Sequence, residues 1–181
     1  MTFLTEGSNL AFSPLLLDAV SYAAAAHRSQ LRKDGQTPYF AHAVRVCLIL
    51  RQLFGIEDEA ILVASVLHDT IEDTTTDFDD LEKRFGTVVA EYVALLSKDK
   101  RLREDVREKC YIQALSSAPR AIQLIKLADI LDNILDSRNL GPDQQQAVRQ
   151  RTQGYLEALA INRDSVVQTA HQRVMSLINS L

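Results

Sequence analysis

Four titratable side chains follow an apolar stretch near the middle of the chain. The stretch Ala60–Leu67 leads into His68 and Asp69, and Glu72 and Asp73 come after two further residues. Imidazole and carboxylate groups are costly to bury unless something neutralises them, and a divalent cation does so well. The pattern therefore predicts a metal-dependent hydrolase site whose remaining ligands come from other parts of the chain.

The helix that carries this motif must end close to it. Neighbouring residues on a helix point about 100° apart, given about 3.6 residues per turn. His68 and Asp69 can therefore face one ion only where the helix ends and the chain bends, and Thr70 is the predicted position of that bend.

Two other segments carry candidate ligands for the same ion. His42 stands early in a second predicted helix, which can direct it towards the end of the helix that carries His68. Asp129 lies in the most apolar part of a later helix, where an unpaired carboxylate would be destabilising or would take up a proton. Two imidazoles and two carboxylates with open positions suit Mn²⁺, Fe²⁺ or Zn²⁺, and the carboxylates favour the harder Mn²⁺. The predicted ligands of one Mn²⁺ ion are His42, His68, Asp69 and Asp129.

Other residues near these segments are suited to proton transfer and to anion binding. Glu72 lies one helical turn after the motif's histidine and is placed for proton transfer. An anionic phosphate substrate needs cations around it, and Tyr39 can pack on a base or a ribose. Lys126 and Asn133 share a helix face with Asp129, because they lie three residues before it and four after it. The candidate anion contacts are Arg28, Arg32, Lys33, Lys98, Lys100 and Arg101.

The elements that position these residues are predicted to be helices throughout. Ser13 and Pro14 are typical of an N-cap followed by proline at the first helical position, and no run alternates like a strand. The fold is therefore predicted to be all-α, a single-domain helical bundle over residues 13–181 after a loose leader at residues 1–12. The segment Lys98–Arg101 is predicted to be a solvated loop. Helices are predicted from residue 14 into the polar segment after residue 26, and at residues 39–54, 57–70, 77–85, 87–96, 101–116, 120–138, 143–159 and 165–178.

Composition and charge narrow the class of protein. With 181 residues, 46% hydrophobic and 24% charged, the chain has the composition of an ordinary globular domain, and its net charge of −4 argues against a nucleic-acid binder. No apolar run reaches membrane-spanning length and no signal peptide opens the chain. Cys47 and Cys110 lie far apart in predicted helices, which favours free thiols in a reducing compartment. We therefore expect a cytoplasmic protein with a small-molecule ligand and neither a nucleic-acid nor a membrane partner.

Three blocks of the sequence together resemble the HD hydrolase domain of RelA/SpoT proteins, in the form of the small alarmone hydrolases. They are QLRKDGQTPYFAH at residues 30–42, HDTIEDT at residues 68–74, and KLAD at residues 126–129 with Asn133. The similarity extends from about residue 23 to residue 139. It implies an HD-type helical bundle that uses Mn²⁺ to remove pyrophosphate from the 3′ position of (p)ppGpp, a nucleotide of the stringent response.

The resemblance also implies roles for individual residues. The metal ligands that it implies are His42, His68, Asp69 and Asp129. Glu72 and Asp73 match residues that orient or deprotonate the attacking water and assist the leaving group. Arg32 and Lys33 match the wall of the nucleotide pocket, and Asn133 matches a residue beside the 3′ phosphates or the ribose.

Two positions depart from the family pattern. The family usually has proline after the histidine that matches His42, where this chain has Ala43. It usually has arginine two residues after the asparagine that matches Asn133, where this chain has Leu135. Without the charge of that arginine, the identity of the substrate stays open, and an adenosine alarmone or NADPH are the alternatives. A catalytically silent HD module that only binds a ligand is an alternative of a different class. The oligomeric state and the existence of a synthetase partner also stay open.

Overall fold

The computed structural model describes residues 13–180, and helices account for its regular structure. The predicted leader at residues 1–12 lies outside the described residues. A π-helical turn, Ile49–Leu53, extends the second helix, and a 3₁₀ turn, Ser137–Asn139, extends the eighth. The all-α prediction is confirmed. The helices are α1 (Pro14–Ala26), α2 (Phe40–Leu48), α3 (Glu59–Leu67), α4 (Thr70–Asp73), α5 (Phe78–Phe85), α6 (Thr87–Leu96), α7 (Glu104–Ser116), α8 (Arg120–Asp136), α9 (Pro142–Leu159) and α10 (Ser165–Asn179).

Several helix ends follow from short local signals in the sequence. The Ser13 hydroxyl accepts a hydrogen bond from the backbone N–H of Leu16, which caps the start of α1. Asp77 and Asp80 form a reciprocal capping box at the start of α5. Gly86, with φ of 87°, ends that helix in a backbone conformation that side chains with a Cβ disfavour.

The motif helix is shorter than predicted, and the chain bends where the motif requires it. The prediction of one helix over residues 57–70 is wrong, because α3 ends at Leu67 and α4 starts at Thr70. Asp69 lies between them with φ of −101° and ψ of 0°, and the Thr70 hydroxyl donates to the Leu67 carbonyl oxygen at 2.7 Å. The chain therefore bends at His68 and Asp69, directly before the predicted position Thr70, and the bend lets these two side chains point to the same side.

Two helices form the buried centre and bring the separate segments together. Every residue of Ile61–Leu67 in α3 is buried, and so are most residues of α8. Helix α3 packs against α1, α2 and α6, whereas α8 packs against α2, α6, α9 and α10. Because α2 contacts both central helices, it can place His42 between the end of α3 and the middle of α8. Within residues 13–180, no helix combines the length and the apolarity that crossing a membrane requires.

Candidate active site

Three of the four predicted metal ligands, His42, His68 and Asp69, have donor atoms within 4.8 Å of one another, and Asp129 lies beside the two histidines. His42 Nε2 lies 3.6 Å from Asp69 Oδ2 and 3.3 Å from Asp129 Oδ1. His68 Nε2 lies 2.9 Å from Asp69 Oδ2 and 4.0 Å from Asp129 Oδ1. Donor atoms that each lie about 2 Å from one ion are roughly 3 to 4 Å from one another. These separations are therefore compatible with a shared cation.

Both imidazoles present Nε2 towards these carboxylates because their other nitrogens are occupied. His42 Nδ1 donates to Asp132 Oδ2 at 2.6 Å, and His68 Nδ1 donates to the Ser65 carbonyl oxygen at 2.8 Å. Such contacts fix the tautomer and the ring orientation of metal-binding histidines. The close pair of His68 Nε2 and Asp69 does not have hydrogen-bond geometry. Within the described part of the chain, that buried nitrogen therefore has no hydrogen-bond partner.

The charges of the cluster also favour a cation. Burial by itself would lower the pKa of His42, but hydrogen bonds to nearby carboxylates, those of Asp129 and Asp132 first, outweigh burial and raise this pKa to about 10. An imidazole that holds a proton so strongly lies in a region of excess negative charge. A divalent ion would supply positive charge at the same place. Donor chemistry, separation and charge of the cluster therefore all fit a divalent cation.

A cavity of about 400 Å³ opens beside the cluster and is lined on other sides by basic side chains. All four candidate ligands line this cavity, as do Glu72 and Asp73. Burial lowers the pKa of Lys33, and the neighbouring charges of Arg151 and Arg32 lower it further, which shows how closely the cations are crowded. An anion in the cavity would relieve this repulsion. The basic residues of the lining are Arg32, Lys33, Lys98, Lys100, Lys126 and Arg151.

The two predicted catalytic carboxylates have different surroundings. Glu72 Oε2 accepts a hydrogen bond from the backbone N–H of Lys98 at 2.9 Å, and burial raises the pKa of Glu72. Asp73 Oδ1 instead lies 2.5 Å from the Lys100 ammonium group in a more exposed position. Glu72 is therefore better suited to accept a proton, since Asp73 is already held by a cation.

The predicted substrate contacts Arg32 and Asn133 lie on one wall of the cavity. The Arg32 guanidinium donates from Nη2 to Asn133 Oδ1 at 2.8 Å, and it lies over the Tyr39 ring at 5.4 Å. The Tyr39 hydroxyl donates to Asp69 Oδ2 at 2.5 Å. Tyr39 lines the cavity, and its contact with a candidate metal ligand is one that the sequence did not indicate. Packing of its ring on a base or a ribose stays a prediction.

Another part of the cavity lining contains tyrosines that the sequence analysis did not single out. Tyr111 from α7 and Tyr155 from α9 face the ammonium groups of Lys98 and Lys126, at 4.6 to 5.2 Å from the ring centroids. Glu108 Oε1 accepts from Lys98 Nζ at 2.9 Å. Lys98 is therefore only 13% exposed, and the prediction that its segment is a solvated loop is wrong for this residue. No local pattern in α7 or α9 indicates these contacts, because they depend on how the two helices pack.

Two of the candidate anion contacts lie outside the cavity. Arg28 is exposed in the turn after α1, its guanidinium donates to the Ala25 carbonyl oxygen, and it is not part of the cavity lining. Helix α1 ends at Ala26, two residues before Arg28. The chain turns after this helix, so Arg28 and Arg32 do not lie on one helix face. Arg101 is 89% exposed and pairs with Asp99. The structure therefore brings neither Arg28 nor Arg101 to the candidate site.

Comparison with known proteins places the chain in a family. A family model described as HD domain matches residues 19–166. Two proteins named guanosine-3′,5′-bis(diphosphate) 3′-pyrophosphohydrolase MESH1 are similar to the chain. The Danio rerio protein is 38% identical over 150 residues, which are 82% of each chain. The Homo sapiens protein is 42% identical over 130 residues, which are 71% of this chain and 72% of that protein.

A solved structure supports the same relationship. It is described as "A metazoan ortholog of SpoT hydrolyzes ppGpp and plays a role in starvation responses". It matches with a TM-score of 0.80 and 30% identity, over 94% of this chain and 98% of that one. The chain therefore belongs to the HD domain family and, within it, to the small alarmone hydrolases of RelA/SpoT type.

Proposed function

We propose that this protein hydrolyses guanosine-3′,5′-bis(diphosphate) at the 3′ position, releasing pyrophosphate and GDP, or GTP from the pentaphosphate, with residues 13–181 as its catalytic domain. The observation that carries the proposal is the placement of a cation-binding cluster and a basic wall in one cavity. A nucleotide with a diphosphate group at each of two positions can place one group at the cation-binding cluster and the other against the basic wall. The activity named for the MESH1 relatives supports the same substrate.

The proposed metal ligands are His42, His68, Asp69 and Asp129, and the proposed ion is Mn²⁺. Two imidazole and two carboxylate donors also suit Fe²⁺ and Zn²⁺, but the carboxylates favour the harder Mn²⁺. A divalent cation bound there would supply Lewis acidity towards a phosphoryl group and would lower the pKa of water.

Glu72 is the proposed general base, and its free oxygen is Oε1. Because Oε2 accepts the Lys98 backbone N–H, the carboxylate is held in one orientation and Oε1 remains for the proton of the attacking water. Burial raises the pKa of Glu72 towards the operating pH, which improves proton transfer. Asp73 has the lesser proposed role of orienting groups near the leaving oxygen, since Lys100 already pairs with it.

The basic wall is proposed to hold the phosphates. Arg32 and Lys33 contact the anionic groups, and Asn133 lies beside Arg32 where the 3′ phosphates or the ribose would be. Lys126 lines the cavity between Asp129 and two tyrosine rings, so it supplies positive charge to the site while it is paired with Asp129. The cytoplasm is the proposed compartment, because the two cysteines of the described residues are free thiols.

The test is the release of pyrophosphate from purified protein. Chelator-treated protein should be inactive towards ppGpp, and Mn²⁺ should restore more activity than Fe²⁺ or Zn²⁺. Parallel reactions with ppApp and NADPH test the alternative substrates. Hydrolysis of ppGpp that is unaffected by chelator would contradict the metal-dependent mechanism, and preference for another nucleotide would contradict the substrate assignment.

A further inference from the structure

A chain of hydrogen bonds connects α2 and α8 beside the candidate site. Four polar residues of α8 share one helix face because their spacing is i, i+3, i+4 and i+7. These residues are Asp129, Asp132, Asn133 and Asp136. Two arginines from outside α8, Arg45 on α2 and Arg32 before it, connect them.

One half of this chain of hydrogen bonds holds a candidate metal ligand. Asp132 is 2% exposed, and its Oδ2 accepts the Nδ1–H of His42 at 2.6 Å. A carboxylate can only accept, so Nδ1 carries a proton and Nε2 is the ring nitrogen left to bind a cation. Arg45 donates to both oxygens of Asp132, from Nε at 2.5 Å and from Nη2 at 3.0 Å. The guanidinium thereby fixes the carboxylate that fixes His42.

The other half reaches the substrate cavity. Arg45 Nη2 also donates to Asp136 Oδ1 at 3.0 Å, and Asp136 Oδ2 accepts from Arg32 Nε at 2.8 Å. Arg32 then donates to Asn133, whose amide donates to Asp129 Oδ1. The path therefore leaves one candidate metal ligand and returns to another, and it passes through an arginine of the cavity wall.

We propose that Arg45 is a positioning residue for the metal centre: it fixes His42 through Asp132, and it connects that contact to Arg32 through Asp136. Arg45 is 36% exposed and does not line the cavity, so it acts without touching the substrate. This inference rests on the proposed metal centre. Loss of a group that orients a metal-binding histidine typically lowers metal affinity by about 10- to 100-fold.

The experiment measures Mn²⁺ binding in the absence of substrate, from the electron paramagnetic resonance signal of the free ion. Arg45→Met removes the guanidinium and keeps much of the side-chain volume, and we expect its Kd for Mn²⁺ to rise about tenfold or more. Arg45→Lys retains the charge but cannot make the two-pronged contact, so its Kd should be intermediate. The Co²⁺ absorption spectrum of each protein reports whether the ligand geometry changes.

Arg84→Met is the matched control. Arg84 also makes a two-pronged contact with a carboxylate, that of Asp18 between α1 and α5, and it does not line the cavity. Its Kd should stay within about twofold of wild type, and melting in chelator shows which variants are folded.

Four results decide the proposal. Weaker Mn²⁺ binding by both Arg45 variants, with the control unchanged, supports it. Should Arg45→Met fail to fold, weaker binding by Arg45→Lys than by the control still supports it. Wild-type affinity in the folded variants overturns the inference and leaves the metal centre intact. A wild-type protein that binds no Mn²⁺ overturns the metal centre itself and this inference with it.

Discussion

The substitution Glu72→Gln isolates the proposed proton transfer. Glutamine has nearly the same shape and can still accept the Lys98 N–H through its carbonyl oxygen, so the local structure should persist. The amide cannot accept a proton at neutral pH, so general-base catalysis is lost. Such catalysis typically contributes about 100- to 10,000-fold, which is roughly 2.7 to 5.4 kcal/mol of transition-state stabilisation at ~1.36 kcal/mol per tenfold. We therefore expect kcat for ppGpp to fall by that factor.

The assay separates chemistry from binding. Single-turnover release of pyrophosphate gives the rate of the chemical step, and titration with Mn²⁺ gives the affinity for the ion. Because Glu72 is not among the four candidate ligands, the Mn²⁺ affinity of the variant should stay close to that of wild type. Glu57→Gln is the control, since Glu57 is exposed and outside the cavity lining. A rate for Glu72→Gln within about threefold of wild type would refute the assignment of Glu72 as the base.

Three further substitutions test other parts of the site. Asp73→Asn should lower kcat by less than about tenfold, because a lysine already pairs with this partly exposed carboxylate; a loss as large as that of Glu72→Gln would make the two residues equal partners. Asp129→Ala should abolish Mn²⁺-induced thermal stabilisation and destabilise the fold by about 3 to 5 kcal/mol, since it leaves the largely buried Lys126 ammonium without its carboxylate partner. An undiminished Mn²⁺ shift in melting temperature would remove Asp129 from the ligand set. Glu108→Gln should lower KM for ppGpp roughly two- to fivefold, because it frees the charge of Lys98; a higher KM would mean that Glu108 holds Lys98 in its binding position.

The local parts of this architecture could be predicted because they depend on nearby residues. Pro14 marks the start of a helix that the structure confirms, and the predicted helix ends lie within a few residues of the observed ones. The bend at His68 and Asp69 was predictable from geometry alone, since adjacent residues on a continuous helix cannot share an ion. Asp129 was indicated by its place in the most apolar part of a helix, and the family resemblance supported both Asp129 and His42, which the spacing of residues in one segment cannot connect to the motif.

The contacts between distant helices were not predictable from the sequence. Tyr155 is one of several apolar positions of α9, and its contact with Lys98 depends on how α9 packs against α7. Arg45 and Asp132 are separated by 87 positions and occur in helices whose polar residues gave no signal of pairing. Arg28 shows the opposite case: its charge and its place near Arg32 suggested an anion contact, but the turn after α1 directs it elsewhere.

The central claim is that one divalent cation is held by side chains from α2, α8 and the bend after α3. Anomalous diffraction at the manganese edge, from crystals grown with Mn²⁺, tests it most directly. The account predicts a single strong peak within ligand distance of His42, His68, Asp69 and Asp129. A cavity without a peak, or an ion bound elsewhere while these four side chains point apart, would contradict it.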